Sequence, residues 1–290
     1  MSALRQGVWS AVLTPVDRQL RPDPRKAIEY YDWLLHEGID GLNVLGSNGE
    51  APSFGTGQRV RYMEAIAQSS LPRERIMIGT GTTSLDDTVR LTQTALDCGF
   101  AAALIMPPFF FRDAGDDGVV GFYAALLARI DDPGRRLMLY NWPAVSGITF
   151  HPALVDRLIG EFPHAICGLK DTSNNEQLQR DVLERHPDLA VFPSSEEFLL
   201  TARQFGASGC ISGSVALWPQ LSQRVWQTGE GLERLVQLRK CLAGPNMLVR
   251  VRYLTSRMRG DEEWERPMPP LAPLTMEEKG ALEAAISRCA

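Results

Sequence analysis

The sequence predicts an α/β fold, a closed (β/α)8 barrel with a C-terminal helical extension, on three observations. Short apolar runs alternate with longer amphipathic segments about eight times along the chain. Each short run is apolar on consecutive positions, which is how a strand covered on both faces reads. Parallel neighbours need right-handed crossovers, and eight strand–helix units in succession close on themselves.

The first strand is predicted at Val8–Leu13, followed by a helix over Pro24–His36. That helix carries Ala27, Ile28, Tyr31, Leu34 and Leu35 on one face and stops at Gly38. Strand Gly41–Leu45 and helix Gln58–Ser69 form the second unit, and strand Ile76–Gly79 opens the third. Its helix begins at Ser84-Leu85-Asp86-Asp87, which has the form of a capping box, and runs to Cys98 before Gly99. Strand Ala102–Met106 precedes helix Asp117–Ile130; strands Leu137–Asn141 and Ile166–Lys170 come next, then helix Asn175–Arg185. Strand Ala190–Phe192, helix Glu196–Phe205 and strand Gly209–Ser212 complete the ring. The chain then continues through helices Leu217–Gln227, Leu232–Leu242, Met247–Arg259 and Thr275–Ser287. Pro267, Pro269, Pro270 and Pro273 stretch the connection between the last two. Residues 1–228 are therefore assigned to the barrel and residues 229–290 to an extension packed on it.

Bulk properties narrow the function. A chain of 290 residues can bury one large core. A formal net charge of -5, with no basic stripe interleaved with aromatics, argues against a nucleic-acid partner. No run approaches the ~18 continuous apolar residues of a membrane span, so no membrane partner is expected. Residues 1–17 lack the pattern of a secretory signal, and a cytoplasmic address is the expectation. The five cysteines are odd in number, widely spaced and without C-x-x-C, so reduced, partly buried thiols are expected. The four histidines show no ligand spacing; neither a metal nor a cofactor is expected.

Working residues of such a barrel stand at the C-terminal ends of its strands. Lys170, one of only four lysines, closes the apolar run Ala165-Ile166-Cys167-Gly168-Leu169. Keeping an ammonium there is costly, which favours the neutral, nucleophilic amine and Schiff-base chemistry on a carbonyl. The plainer alternative is an ion pair with Asp171 or another barrel carboxylate. Gly46-Ser47-Asn48-Gly49-Glu50 follows the second strand as a tight turn whose backbone N–H groups, with Ser47 and Asn48, suit a carboxylate. Read plainly, it is a βα turn with locally satisfied side chains. Tyr140 ends the fifth strand, where a phenol relays protons between amine, water and substrate; the alternative is a packed aromatic. Gly79-Thr80-Gly81-Thr82-Thr83-Ser84 lacks the third glycine of a nucleotide loop and reads as an ordinary βα connection. Phe109, Phe110, Phe111 and Trp142 are expected to make the mouth apolar and partly dry.

These motifs resemble the dihydrodipicolinate synthase / N-acetylneuraminate lyase family of class I aldolases, over almost the entire chain from Ala11-Val12-Leu13-Thr14-Pro15 onward. Three signatures carry the resemblance: Gly46-Ser47-Asn48-Gly49-Glu50, Tyr140-Asn141-x-Pro143, and Gly168-Leu169-Lys170-Asp171 with Ser173. It implies a barrel with helical extension, usually a homotetramer, in which Lys170 forms an imine with pyruvate or another 2-oxo acid. It further implies that Tyr140 relays protons and that Ser47 and Asn48 hold the substrate carboxylate, Asn48 replacing the usual threonine. Ile211 falls where the family offers a backbone carbonyl. Two departures stand out. Lysine-pathway synthases carry an arginine two residues before the glycine of the Tyr-Asn-x-Pro segment, where this chain has Val145 in Pro143-Ala144-Val145-Ser146-Gly147. They also use a tyrosine after the fourth strand, where this chain has Phe109-Phe110-Phe111. Losing that arginine removes a charge-assisted hydrogen bond worth roughly 1.5–3 kcal/mol. The segment looks more like the neuraminate lyase and 2-keto-3-deoxy sugar acid aldolase branches. Glu196 and Glu197 are candidates for binding substrate hydroxyls, or else a solvated helix start.

The expected function is a pyruvate-dependent aldolase cleaving a 2-keto-3-deoxy sugar acid. Dehydration through the same imine, a synthase-like condensation and a non-catalytic 2-oxo-acid-binding barrel are the alternatives.

Overall fold

A computed structural model describes residues 4–131, 134 and 136–289. Eight strands are all parallel: β1 (Gly7–Ala11), β2 (Gly41–Val44), β3 (Ile76–Gly79), β4 (Ala102–Ile105), β5 (Leu137–Asn141), β6 (Ile166–Asp171), β7 (Ala190–Pro193) and β8 (Gly209–Ser212). They stand in the order β7-β6-β5-β4-β3-β2-β1-β8. The seam between β7 and β8 closes at its foot, where Ser208 N donates to Val191 O at 2.8 Å; on the β1 side Gly7 N donates to Ser208 O at 2.8 Å.

Consecutive apolar residues serve two cores because the pleat turns alternate side chains to opposite faces. Val8, Leu42, Ile78, Leu139, Leu169 and Val191 point outward into the layer shared with the helices. Trp9, Met77, Leu104, Met138, Tyr140, Phe192 and Ile211 fill the barrel interior. Each fully buried aliphatic side chain contributes roughly 1.5–3 kcal/mol, so both faces are needed to hold the ring.

The helices are α1 (Pro24–His36), α2 (Thr56–Ala67), α3 (Leu85–Asp97), α4 (Gly115–Leu127), α5 (Pro143–Ser146), α6 (Pro152–Glu161), α7 (Glu176–Arg185), α8 (Leu199–Gln204), α9 (Pro219–Thr228), α10 (Leu232–Leu242), α11 (Met247–Arg259) and α12 (Met276–Ser287). Of these, the four-residue α5 and the longer α6 are absent from the predicted set, although the signals of α6 are present. Pro152 opens it, His151 caps it by accepting from Leu154 N, and Leu154, Val155 and Leu158 are buried on one face. Ser84 caps α3 by accepting from Asp87 N at 3.2 Å, but its own N–H goes to Thr82 Oγ1, so the predicted capping box is only half formed. The predicted helix Glu196–Phe205 is a 3-10 turn, Glu196–Phe198, followed by the short α8. Two of the widely spaced thiols come together: Cys241 Sγ lies 3.7 Å from Cys289 Sγ.

Polar ties fasten α10–α12 to the barrel. Lys26 Nζ on α1 reaches Asp261 at 2.7 Å and Glu263 at 2.6 Å. Arg239 Nε on α10 lies 3.7 Å from Glu196 Oε2, and Arg252 on α11 pairs with Glu50. Among the described residues no helix is long and apolar enough to cross a membrane. No group of three His, Cys, Asp or Glu side chains among them is arranged to hold a metal ion.

Candidate active site

Lys170 and Tyr140 reach the same height because β5 and β6 pair in register, Tyr140 opposite Lys170, with Phe192 of β7 level with both. All three face inward by strand alternation. Lys170 is buried, 2% exposed, and its Nζ lies 4.4 Å from the centroid of the Tyr140 ring. A ring face this close stabilises whatever positive charge the nitrogen carries or develops.

The ion pair with Asp171 is not formed. Asp171 is the next residue along β6 and points to the opposite face. There its carboxylate accepts from Asn141 Nδ2 (2.6 Å), Gln179 Nε2 (2.7 Å), Ser173 Oγ (2.9 Å) and Ser173 N (3.2 Å). No acidic side chain among the described residues pairs with Lys170. A buried amine without a salt-bridge partner keeps its lone pair available to a ligand once it is unprotonated.

Ser47 Oγ lies 3.2 Å from Tyr140 Oη, which brings the turn after β2 onto the phenol. A Cβ on Gly46 would sit 2.5 Å from Asn43 Oδ1, so any larger residue there must displace the Asn43 amide. Asn48 leans the other way, over the end of β8, where a Cβ on Gly213 would meet its Nδ2 at 2.4 Å. Ile211, two residues earlier, faces the barrel interior at 1% exposure. Ser47, Tyr140 and Lys170 are thus gathered at one point, with Asn48 spanning from the same turn toward the strand of Ile211. A cavity of about 50 Å³ opens among Ser47, Gly81, Met106, Phe109 and Tyr140. A larger one, about 460 Å³, is lined by Asp17, Arg21, Gln58, Arg61 and Tyr62 and holds none of these site residues.

Two groups stand differently from expectation. Glu196 is fully buried: its Oε1 accepts from Ser214 Oγ at 2.5 Å, and its Oε2, without a hydrogen-bond partner among the described residues, faces Arg239. It joins the segment after β8 to α10; the exposed Glu197 is the solvated member of the pair. The apolar mouth is also smaller than expected. Phe109 lines the cavity and Trp142 stacks on Tyr140 with centroids 6.0 Å apart, but Phe110 and Phe111 are 75% and 72% exposed.

Sequence reasoning missed three polar groups. Thr172 follows Lys170 by two residues, and its Oγ1 is buried without a partner; the period-two alternation from Lys170 was the signal for it. Asn43 lies inside the barrel under Gly46 with neither amide atom bonded. Arg252 had no local signal, since its partner Glu50 is 202 residues away.

Comparison with known proteins shows the family. The model of the dihydrodipicolinate synthetase family matches residues 4–289. The chain belongs to that family. An N-acetylneuraminate lyase of Rhizobium meliloti is 33% identical over 208 residues, covering 71% of this chain and 67% of the relative. The dihydrodipicolinate synthase structure from Agrobacterium tumefaciens superposes with a TM-score of 0.92 at 27% identity, covering 98% of this chain and 99% of that one. A prophage protein of the dihydrodipicolinic acid synthase family from E. coli K12, in complex with pyruvate, matches with a TM-score of 0.85 at 25% identity over 99% of both chains. This member of the dihydrodipicolinate synthetase family thus shares its architecture with both synthases and lyases, and what separates such activities lies at the mouth rather than in the fold.

Proposed function

We propose that the chain is a class I aldolase that cleaves a 2-keto-3-deoxy sugar acid to pyruvate and an aldehyde. The observation that carries the reading is the buried Lys170 amine, free of acidic partners among the described residues and set over Tyr140, whose hydroxyl meets Ser47. In its unprotonated form the amine adds to the C2 ketone, and loss of water leaves an iminium joined to Nζ. That iminium accepts the electron pair of the C3–C4 bond as the bond breaks, while Tyr140 relays the proton of the C4 hydroxyl, accepting it as it passes its own proton on to Ser47 or water. The resulting enamine is protonated at C3, and water returns pyruvate and the free amine. Ser47 and Asn48 hold the carboxylate so that C2 is presented to Nζ in a fixed direction.

Val145, 37% exposed at the mouth, offers no charge to an acidic aldehyde, which disfavours condensation with one. The unpartnered Thr172 hydroxyl suits a substrate carrying hydroxyls. A homotetramer, as the resemblance implies, and a cytoplasmic address belong to the same reading. The test is a panel of 2-keto-3-deoxy sugar acids and neuraminate, with both pyruvate and the aldehyde measured. Equal release of the two supports cleavage. A dehydrated acid without aldehyde would redirect the reading to dehydration through the same imine. Pyruvate binding with no turnover of any member would remove the catalytic assignment.

A further inference from the structure

We propose that Arg252, on the C-terminal extension, is a positioning residue that sets the affinity of the Ser47–Asn48 turn for a 2-oxo-acid carboxylate; this rests on the aldolase reading above. Two non-glycine residues in the left-handed region bracket the turn: Leu45 at φ 53°, and Glu50 at φ 52°, ψ 31°. Such residues hold that conformation only where their surroundings impose it. At Glu50 the constraint comes through the side chain. Its Oε1 accepts from Met268 N at 2.7 Å, and its Oε2 accepts from Arg252 Nε at 2.8 Å and also from Arg252 Nη2.

The same guanidinium donates to Thr14 O at 2.9 Å and to Trp264 O at 3.3 Å. One rigid planar group therefore fixes the segment after β1, the turn after β2 and the segment after α11 against one another. The Arg252 and Glu50 side chains are only 0% and 3% exposed, so water cannot replace either partner. Glu50 N donates to Ser47 O at 3.0 Å, and Ala51 N to Gly46 O at 3.3 Å. A tilt at Glu50 is thereby passed to the residue that meets Tyr140. The amine is untouched by such a tilt; the carboxylate donors move, and with Ser47 its hydrogen bond to the Tyr140 hydroxyl.

The experiment is borohydride trapping of pyruvate on the full chain, with the trapping rate followed as a function of pyruvate concentration. Arg252→Lys keeps the charge but loses the fork that spans Glu50 and Thr14. The half-saturating pyruvate concentration is expected to rise roughly 10–100-fold, with the fraction trapped at saturation unchanged. A residue with only a structural role would lower the melting temperature and the trapped fraction while leaving half-saturation where it was; that result overturns the assignment. Should Arg252→Lys fail to fold, Glu50→Gln/Arg252→Met removes both buried charges together and must show the same rise. Unshifted half-saturation in the folded double variant overturns the assignment as well. A wild type that traps no pyruvate overturns the aldolase reading and this assignment with it; trapping with unshifted half-saturation overturns this assignment alone.

Discussion

Changing Tyr140→Phe separates the two jobs given to this side chain. The ring lies under Lys170 at 4.4 Å and stacks on Trp142, and both contacts survive the change. Only the hydroxyl is lost, together with its 3.2 Å hydrogen bond to Ser47 Oγ. A neutral bond of that kind is worth about 0.5–1.5 kcal/mol net. At roughly 2–4 °C per kcal/mol for a chain a little shorter than this one, the melting temperature should fall by only a few degrees. Turnover should fall far more, by about 10²–10⁴-fold, the usual worth of a positioned general acid–base. The assay pairs calorimetry with the rate of pyruvate release from whichever sugar acid the wild type cleaves, and imine trapping is read beside it. Trapping should persist, because attack by Lys170 does not require the phenol. Turnover within about threefold of wild type would refute the proton-relay role and leave Tyr140 as a packed aromatic.

Three further outcomes follow from the same geometry. Asp171→Ala leaves the buried amides of Asn141 and Gln179 without their acceptor and should cost roughly 2–5 kcal/mol, read by denaturant unfolding; a change below about 0.5 kcal/mol would contradict the network. Val145→Arg, at a partly exposed site, should strengthen binding of an acidic aldehyde such as aspartate semialdehyde about 10-fold or more, measured as its KM in a condensation assay with pyruvate; no change would place that aldehyde elsewhere. The third concerns pH. Partial burial raises Asp261, but the Lys26 hydrogen bond and charge, the Glu263 N–H and Arg266 together outweigh it and leave the carboxyl below its usual range; Glu263 is lowered chiefly by the same ammonium. Such carboxylates contribute stability fully above their unfolded values, roughly pH 4, and lose it as pH falls through their lower folded values. Lys26 itself is raised, its two acidic partners outweighing partial burial, so its share persists to high pH and is lost only as pH rises through the raised value. With the two carboxylates 36% and 40% exposed, the network is worth at most about 1 kcal/mol. The melting-temperature gap between wild type and Lys26→Met should be present at pH 7 and shrink below pH 4; a gap unchanged down to pH 3 would contradict it.

The barrel was legible because its strands are buried on both faces, so apolar runs such as Leu137–Asn141 and Ile166–Lys170 carry no helical period to compete with. Lys170 and Tyr140 were legible because a polar residue closing an apolar run is a local signal. Asp171 was ambiguous on composition, and only the pleat decides that it turns away from Lys170. The α6 helix was passed over because its ten residues offer a short apolar face, although Pro152 and His151 mark its start. The burial of Glu196 is not visible in sequence, because an acidic residue after a strand looks solvated until Ser214 and Arg239 are placed around it. Arg252 lies beyond any sequence window: only the folded extension returns it to Glu50. Exposure of Phe110 and Phe111 was invisible for a similar reason, since an aromatic run states hydrophobicity but not direction.

One measurement bears most directly on whether this barrel works through covalent capture of a 2-oxo acid. The protein is incubated with pyruvate, reduced with borohydride, digested and mapped by peptide mass. A single reduced adduct on the peptide carrying Lys170, absent from Lys170→Met, is the expected result. An adduct on Lys26, Lys240 or Lys279 instead, or none under saturating pyruvate, would contradict the account at its centre.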